Sequence, residues 1–416
     1  MPTSILTINM ITREAVRLFK NSNLFIQNID TQYDSAFAVD GAKIGTALRI
    51  RLPNDYIVRQ GATMVLQDTN EQSTTLNVST QSGVDVPFTT AERTMSLDDY
   101  AERVMAPMIN NLAGNVASNI MLGSEGGVCN YVSNVDGTGA VATPGSAQFL
   151  LANAVLDDNS ADQMTRNVVN DPTTDALTTV SLAGLLNPAP EISAQFRSGM
   201  MKSGLGYDKW FRDQTVIKHT TGTYNSAATI AAASNNVPTA YSGGPVTTTA
   251  ISGTLKKGDF VTIDAVNAVN RVNKQSLGTL RQFVVTADVI STATLIPLYP
   301  GIIGPLSTDP VGTTVPYQTV NVLALTGAIV RLVNKASEVY RKSIAYVKKA
   351  ITMATADLVM PRHAVEEAAR AQYDGIAMRV LTDYLPASDQ LATRLDVLYG
   401  FLYIRPEWCC VIAGKI

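Results

Sequence analysis

Histidine, the commonest general base near neutral pH, is scarce in this chain: only His219 and His363 occur in 416 residues. Two histidines argue against most histidine-dependent catalysis. His363, Glu366 and Glu367 form an H-x-x-E-E pattern, which lacks the second histidine at helical spacing that a zinc site needs. We interpret this pattern as a solvated helix face.

The other groups able to bind a metal are also weak candidates. Asp157, Asp158, Asn159 and Asp162 lack the glycine and the distal glutamate of a calcium loop, so the segment predicts a turn. The three cysteines (Cys129, Cys409 and Cys410) cannot form a disulfide framework, and the adjacent pair is expected to pack on a strand. There is no phosphate-binding loop and no G-x-S-x-G motif. The sequence therefore predicts no catalytic residue, no cofactor and no metal.

Composition narrows the class of protein further. Charged residues make up 16% of the chain, against roughly 25% for an ordinary soluble domain. The net charge is −3, which disfavours a protein whose main task is to grip nucleic acid, since that requires a basic surface. No apolar run approaches the roughly 18 residues of a membrane span, and the N-terminal residues do not resemble a signal peptide.

Two segments are predicted to be helical. Residues 12–27 form an amphipathic pattern with Thr12 as a plausible N-cap and Ala15, Val16, Leu18 and Phe19 on the apolar face. Residues 96–122 carry apolar residues at three- and four-residue spacing, which predicts a helix of about 40 Å at 1.5 Å per residue. Pro107 lies inside this helix and is expected to bend it.

A long β-arm is predicted between these helices. Residues 46–52 (TALRIRL) and 74–80 (TTLNVST) both alternate apolar and polar residues with the period of a strand. A two-stranded ribbon with one apolar face is marginal by itself. It must therefore lie either on its own domain or on a neighbouring chain.

The middle of the chain has a different composition. No charged residue occurs between Lys218 and Lys256, and Asp309 is the only one between Asp288 and Arg331. Strand-like pieces follow at residues 255–263, 280–290 and 293–302. These features predict an inserted β domain at about 220–325. A further strand is predicted at 376–385.

Several sequence segments, taken in order along the chain, resemble segments of tailed-bacteriophage major capsid (coat) proteins. At the C-terminal end they are SIAYVKKAITMATADL (343–358), YDGIAMRVLTDYL (373–385) and TRLDVLYGFLYIRPEWCCVIAG (393–414). RTMSLDDYAERVMAPMINNLA (93–113) is similar to the start of the long spine helix of that family. GYDKWFRDQTVIKHTTGT (206–223) and LKKGDFVTI (255–263) resemble the entry and part of the inserted domain in the branch typified by the Salmonella podovirus coat protein.

The resemblance implies an α+β, Hong Kong 97-like capsid fold with a long spine helix, an extended β-loop, an N-terminal arm and an inserted β-rich domain. Its parts are expected at the following residues: N-terminal arm 1–43, extended loop 44–80, peripheral domain with the spine helix 81–127, axial domain 128–219 and 326–390, inserted domain 220–325, and C-terminal strands returning to the peripheral domain 391–416.

The resemblance also implies a non-enzymatic function and a set of partners. The protein is expected to self-assemble in the host cytoplasm into an icosahedral shell of hexamers and pentamers that encloses double-stranded DNA without sequence-specific contact. A separate scaffolding protein and a portal protein are the expected partners, with no membrane. Some relatives crosslink subunits through a loop lysine, but no lysine occurs between Lys43 and Lys202, so no such crosslink is expected. No large maturation cleavage is expected either.

Intersubunit contacts are predicted in the extended loop. The charged candidates are Arg49, Arg51, Asp55, Arg59, Asp68 and Glu71, and the apolar candidates are Met64, Val65 and Leu66. The alternative is that these charges are merely solvated, each contributing about 0–1 kcal/mol. Two other functions remain open from the sequence: a cellular nanocompartment (encapsulin-like) shell enclosing protein cargo, and a secreted β-rich glycan-binding protein.

Overall fold

A computed structural model describes residues 8–34, 47–52, 54–56, 58, 61–64, 66, 72–89, 105–181, 204–232, 243–305, 317–361, 367–386 and 390–416. The chain divides into two compact units. Unit 1 comprises Met1–Ile50, Thr74–Ile120 and Ile351–Ile404, and unit 2 comprises Arg51–Ser73, Met121–Ala350 and Arg405–Ile416.

The described part of the chain is α+β and rich in strands. Its helices are α1 Ile8–Ser22, α2 Leu24–Gln27, α3 Ala106–Leu122, α4 Ser124–Gly127, α5 Ser146–Asp158 and α6 Pro172–Ser181. Its strands are β1 Asp30–Asp34, β2 Ala47–Leu52, β3 Gln72–Asn77, β4 Thr80–Thr89, β5 Asn130–Val132, β6 Asn134–Val135, β7 Val141–Ala142, β8 Arg166–Asn170, β9 Lys209–Arg212, β10 Lys218–Thr220, β11 Gly244–Thr247, β12 Phe260–Val269, β13 Ser276–Val285, β14 Leu295–Tyr299, β15 Val330–Leu332, β16 Val339–Val347, β17 Ile351–Ala356, β18 Glu367–Tyr373, β19 Ile376–Leu385, β20 Gln390–Tyr403 and β21 Cys409–Gly414. Two single turns of 3₁₀ helix span Lys348–Ala350 and Pro406–Trp408.

The arm helix predicted over 12–27 is present as two helices. Asn23 separates them, because its side chain accepts hydrogen bonds from two backbone N–H groups in the first turn of α2. The prediction of Thr12 as the N-cap is wrong, since α1 already begins at Ile8 and Thr12 is buried inside it. Of the predicted apolar face, Ala15, Val16 and Phe19 are buried and Leu18 is half-buried.

A six-stranded sheet forms the centre of unit 1. Its order is β1-β17-β20-β19-β18, and β4 pairs with β20. Strand β1 runs parallel to β17, and the other pairs are antiparallel. Every residue of β17 is buried, which agrees with its nearly continuous run of small and apolar side chains.

The spine helix α3 packs in unit 1 through the apolar positions that predicted it. Met108, Leu112, Val116 and Ile120 are buried. Tyr403 donates a hydrogen bond to the backbone carbonyl of Ile120 over 2.9 Å, which ties the helix to β20. The first part of the predicted helix, 96–104, lies outside the described residues, and so does the backbone on which a bend at Pro107 would depend.

Unit 2 contains two larger sheets. The first has the order β5-β21-β16-β8-β9, with β10 paired to β16, and α5 packs against its apolar face. Strand β21 lies between β5 and β16, and Cys409 and Cys410 on it are both buried, as the strand prediction for this pair required.

The second sheet has the order β11-β14-β13-β12-β15 and encloses its own apolar core, which includes Val261, Ile263, Phe283 and Ile296. Strand-forming residues 255–263, 280–290 and 293–302 overlap β12, β13 and β14, although each strand starts or stops several residues away from the predicted limit. This sheet also takes in β15, beyond residue 325, where the inserted domain was expected to end.

One helix interpretation is wrong. Glu367 was expected on a solvated helix face, but it begins strand β18, which pairs with β19 in a hairpin. Its side chain is exposed, and His363 and Glu366 lie outside the described residues. The strand predicted at 376–385 coincides with β19. In the described ranges we find no helix that is both long and apolar enough for a membrane span.

Candidate assembly interface

The extended loop is a ribbon whose base packs on its own chain. In β2 the side chains of Leu48, Ile50 and Leu52 are half-buried, while Arg49 and Arg51 are exposed on the opposite face. Leu48 and Ile50 contact a buried cluster of Leu76, Val78, Ala354 and Ala356 in unit 1. Of the two supports that the sequence left open for the ribbon, its base therefore uses its own domain.

The stretch between β2 and β3 carries apolar side chains that its own chain leaves exposed. We call Tyr56, Val58, Met64 and Leu66 the loop apolar set. Their relative exposures are 55%, 84%, 72% and 83%. Gly61 lies between the two pairs with a positive φ of 99°, a conformation that favours glycine. Large apolar side chains concentrated at this exposure are typical of a surface that another molecule covers.

An ion-pair network holds the start of this stretch to unit 2. The Arg271 guanidinium donates to both Asp55 carboxylate oxygens, over 3.0 Å from Nε and 3.3 Å from Nη2. Its Nη1 donates to Glu407 over 2.7 Å. All three side chains are largely buried. Arg271 follows β12, so the network joins the loop, the inserted sheet and the segment that leads into β21.

Lys274 lies beside this network and is itself buried. Burial lowers the pKa of Lys274 to about 8, and the positive charge of Arg271 also lowers it, while the carboxylate of Asp55 opposes the change. The Nζ atom has no hydrogen-bond partner among the residues that the structure describes. Several charged groups therefore lie together in a region with little water. The attraction between Asp55 and Arg271 is stronger there than between the same two groups in solvent.

The structure distributes the predicted contact residues unevenly. Arg49, Arg51, Met64 and Leu66 are exposed on the ribbon, and their contact with a neighbouring chain stays a prediction. Asp55 contacts Arg271 of the same chain, so part of its role is to anchor the loop. Arg59, Val65, Asp68 and Glu71 lie outside the described residues, and their part in contacts stays a prediction.

Sequence reasoning missed four residues of this region. Tyr56 and Val58 were not singled out, although they are large apolar residues in an otherwise polar stretch, and that signal was available. Arg271 and Glu407 had no such signal, because they are separated from Asp55 by more than two hundred residues of sequence.

The candidate chemical groups offer little reactivity. All three thiols are buried, and burial raises the pKa of Cys129 to about 11. Burial likewise raises the pKa of the Cys409 and Cys410 thiols. In the part of the chain that the structure describes, no group of three or more His, Cys, Asp or Glu side chains is placed to hold a metal ion.

A strand-rich body, a long helix, an inserted sheet and a ribbon with an exposed apolar set are together typical of the subunits of viral shells. The family model described as "P22 coat protein - gene protein 5" matches residues 7–413. The chain belongs to this coat protein family. It is a tailed-phage major capsid protein, a structural component of the icosahedral virion shell, as the resemblance implied.

Solved capsid structures resemble the chain at low sequence identity. The capsid of cyanophage P-SCSP1u has 9% identity and a TM-score of 0.45, covering 100% of this chain and 92% of that one. The capsid of Ralstonia phage GP4 has 9% identity and a TM-score of 0.45, covering 93% and 87%. Mycobacterium phage Che8 has 9% identity and a TM-score of 0.42, covering 94% and 90%. No curated protein matches the chain. The assignment rests on the family model, which spans almost the whole sequence.

Proposed function

We propose that this coat protein forms hexamers and pentamers through its extended loop, with the loop apolar set inserted against a neighbouring copy. The shell would assemble in the host cytoplasm around a separate scaffolding protein, incorporate a portal protein, and enclose double-stranded DNA. The protein would act by geometry alone, with no enzymatic step.

The observation that carries this proposal is the exposure of Tyr56, Val58, Met64 and Leu66 on a ribbon whose base is fixed. Burying an apolar side chain of this size contributes about 1.5–3 kcal/mol. A few such side chains per contact give a weak interface between two subunits. In a closed shell each subunit makes several contacts at once, so weak interfaces together stabilise the particle.

The anchored base supports the same proposal. Ordering a loop on binding costs conformational entropy, and a loop that is already held at one end loses less of it. The Asp55–Arg271–Glu407 network and the packing of Leu48 and Ile50 supply that anchor. The proposed domain limits follow the resemblance: the loop at 44–80 leaves the peripheral domain, and the inserted domain at 220–325, whose sheet also takes in β15, lies within the axial domain.

Overall charge fits a container for DNA. A net charge of −3 gives the chain no general attraction for phosphates. DNA can then enter and leave the shell without being held by strong electrostatic contacts. Nuclease-protected DNA in purified particles is the expected result, whereas particles filled with protein cargo would contradict this part of the proposal.

The experiment that tests the loop contact compares two methionines. Met64→Ser, alone or with Leu66→Ser, should strongly reduce particle formation in the presence of scaffolding protein, measured by sedimentation velocity and negative-stain microscopy. Met164→Ser is the matched control, because Met164 is 77% exposed but lies in a turn after α5. Far-ultraviolet circular dichroism should be unchanged in both. Normal particles from Met64→Ser/Leu66→Ser, or equal loss in the control, would show that the loop apolar set is not the contact.

A further inference from the structure

A buried histidine joins three separate segments of unit 2. His219 on β10 has Nδ1 at 2.8 Å from Glu125 Oε1 in α4, and Nε2 at 2.8 Å from Asp259 Oδ1 in the turn before β12. Asp259 is fully buried, and His219 nearly so. Sequence reasoning treated this histidine only as evidence against catalysis, because its partners are 94 and 40 residues away.

The geometry limits the protonation states that satisfy this arrangement. A neutral imidazole has one N–H donor and one acceptor nitrogen, and a carboxylate oxygen only accepts. Two carboxylates facing the two ring nitrogens are therefore both satisfied only when the ring carries both protons. We propose that protonated His219 is a positioning residue, a proton-dependent clamp that fixes the inserted sheet to the body of unit 2.

Asp259 connects His219 to the backbone of two segments. Its Oδ2 accepts hydrogen bonds from the backbone N–H of Gly222 over 3.0 Å and of Lys256 over 2.7 Å. Gly222 lies where the chain enters the inserted region, and Lys256 lies in the turn that starts β12. When His219 holds Oδ1, the same carboxylate orders the entry segment and the first long strand of the inserted sheet together.

The surrounding charges make the stability of this site depend on the His219 ring proton. Lys342 on β16 is buried, donates to the carbonyl of Gly258 over 3.1 Å and lies 4.0 Å from Glu125 Oε1. Burial lowers the pKa of Lys342 to about 8. With His219 protonated, two cations face the two carboxylates of Glu125 and Asp259. Loss of the ring proton leaves an excess negative charge in a buried site and breaks one charge-assisted hydrogen bond.

The remaining groups around the His219 ring are a neutral tyrosine and the charged residues of a solvent-filled groove. Tyr340 on β16 contacts the ring edge-on at 5.5 Å between centroids. A groove of about 560 Å³ runs beside His219 and Glu125 and is also lined by Lys256, Lys257 and Asp288. Protons and water can therefore reach the histidine from the Glu125 side, while Asp259 stays enclosed.

Gly258 lets these groups come together. Its φ is +93°, and a Cβ there would lie 2.7 Å from Lys342 Nζ and 3.2 Å from His219 Cε1. Any larger residue would push the lysine or the histidine away, so glycine is the residue that this junction admits.

The test measures two things separately: the protonation of the His219 ring, and the hydrogen exchange of the Gly222 and Lys256 amides that Asp259 holds. Selective ¹⁵N-histidine labelling gives two sets of ring signals, and His363 serves as an internal reference. While the Gly222 and Lys256 amides are protected from hydrogen exchange, His219 should show two protonated nitrogens. As the pH rises, their protection factors should fall at least about tenfold, equivalent to about 1.4 kcal/mol, over the same interval in which the His219 ring titrates.

Two controls separate the clamp from general instability. The Thr248 amide, directly after β11, donates to the carbonyl of Thr294, directly before β14, over 2.8 Å, and its protection factor should not follow the ring titration. His219→Gln has no ring proton to lose, so the pH step at Gly222 and Lys256 should vanish. Two results on the wild type would overturn the proposal. One is a neutral His219 ring while both amides are protected, and the other is protection factors that do not change as the ring titrates. Neither result depends on whether His219→Gln folds.

Discussion

Replacing Asp55 by asparagine tests how firmly the loop base is held. The change removes one carboxylate that accepts two hydrogen bonds from Arg271, and it leaves that guanidinium with Glu407 as its remaining carboxylate. A hydrogen bond to a charged group contributes about 1.5–3 kcal/mol, and the small remaining exposure of the two side chains, 21% for Asp55 and 16% for Arg271, reduces that value somewhat. We expect the free energy of unfolding to fall by about 2 kcal/mol.

The assay is a double-mutant cycle on the soluble subunit. Urea unfolding of Asp55→Asn, Arg271→Met and the double variant gives the coupling energy between the two side chains. The matched control is Asp264→Asn, because Arg331 donates to Asp264 with the same two-pronged geometry, over 2.7 and 2.8 Å, but at an exposed position. The control should lose much less. Additive effects of Asp55→Asn and Arg271→Met would refute the claim that burial strengthens the anchor.

Two further predictions concern the interior. Burial lowers the pKa of Lys342 to about 8 in the folded chain, below its usual 10.5, so the unfolded chain binds more protons between these values and stability should rise with pH there. From pH 8 to 9 the wild type should gain about 1 kcal/mol relative to Lys342→Met in urea unfolding, and parallel profiles would contradict this sign. Gly400→Ala would place a Cβ against the backbone of Asn77 and should destabilise unit 1 by about 1–3 kcal/mol. Gly114→Ala in α3, where a Cβ meets no atom of the described residues within 4 Å, should be neutral or slightly stabilising; thermal unfolding of the two glycine variants measures both effects.

Strands were predicted best where one face alone is buried. The alternation of Leu48, Ile50 and Leu52 with two arginines identified β2, because a period of two is strong evidence for a half-buried strand. Apolar spacing also identified the described part of α3. In both cases the pattern reflects contacts with one surface, which the sequence carries locally. The strand β19 was also predicted from alternation, although three consecutive residues at its start, Ile376, Ala377 and Met378, are all buried.

The helix assignment around Glu367 failed although a contrary signal was present. Asp374 and Gly375 both have positive φ, at 48° and 77°, and they connect β18 to β19. Asp-Gly between two strand-like segments is a strong hairpin signal. The acidic and alanine-rich composition before it favours a helix by propensity, but pairing along the whole length of β19 outweighs that preference.

The polar clusters could not be predicted from spacing. His219 meets Glu125 and Asp259, and Arg271 meets Asp55, only because the sheets bring distant segments together. A sequence without aligned relatives gives no information about such pairs. The loop apolar set was predicted in part, because two of its four members, Met64 and Leu66, were named from residue type and position alone.

The path of the chain between the two units has a consequence for synthesis. The chain passes from one unit to the other at residues 50/51, 73/74, 120/121, 350/351 and 404/405. Strand β21, at Cys409–Gly414, fills the gap between β5 and β16, and its six residues are all buried. A nascent polypeptide still lacking these residues would leave the facing edges of β5 and β16 without this strand. The first sheet of unit 2 is therefore completed only after Cys409–Gly414 has been translated.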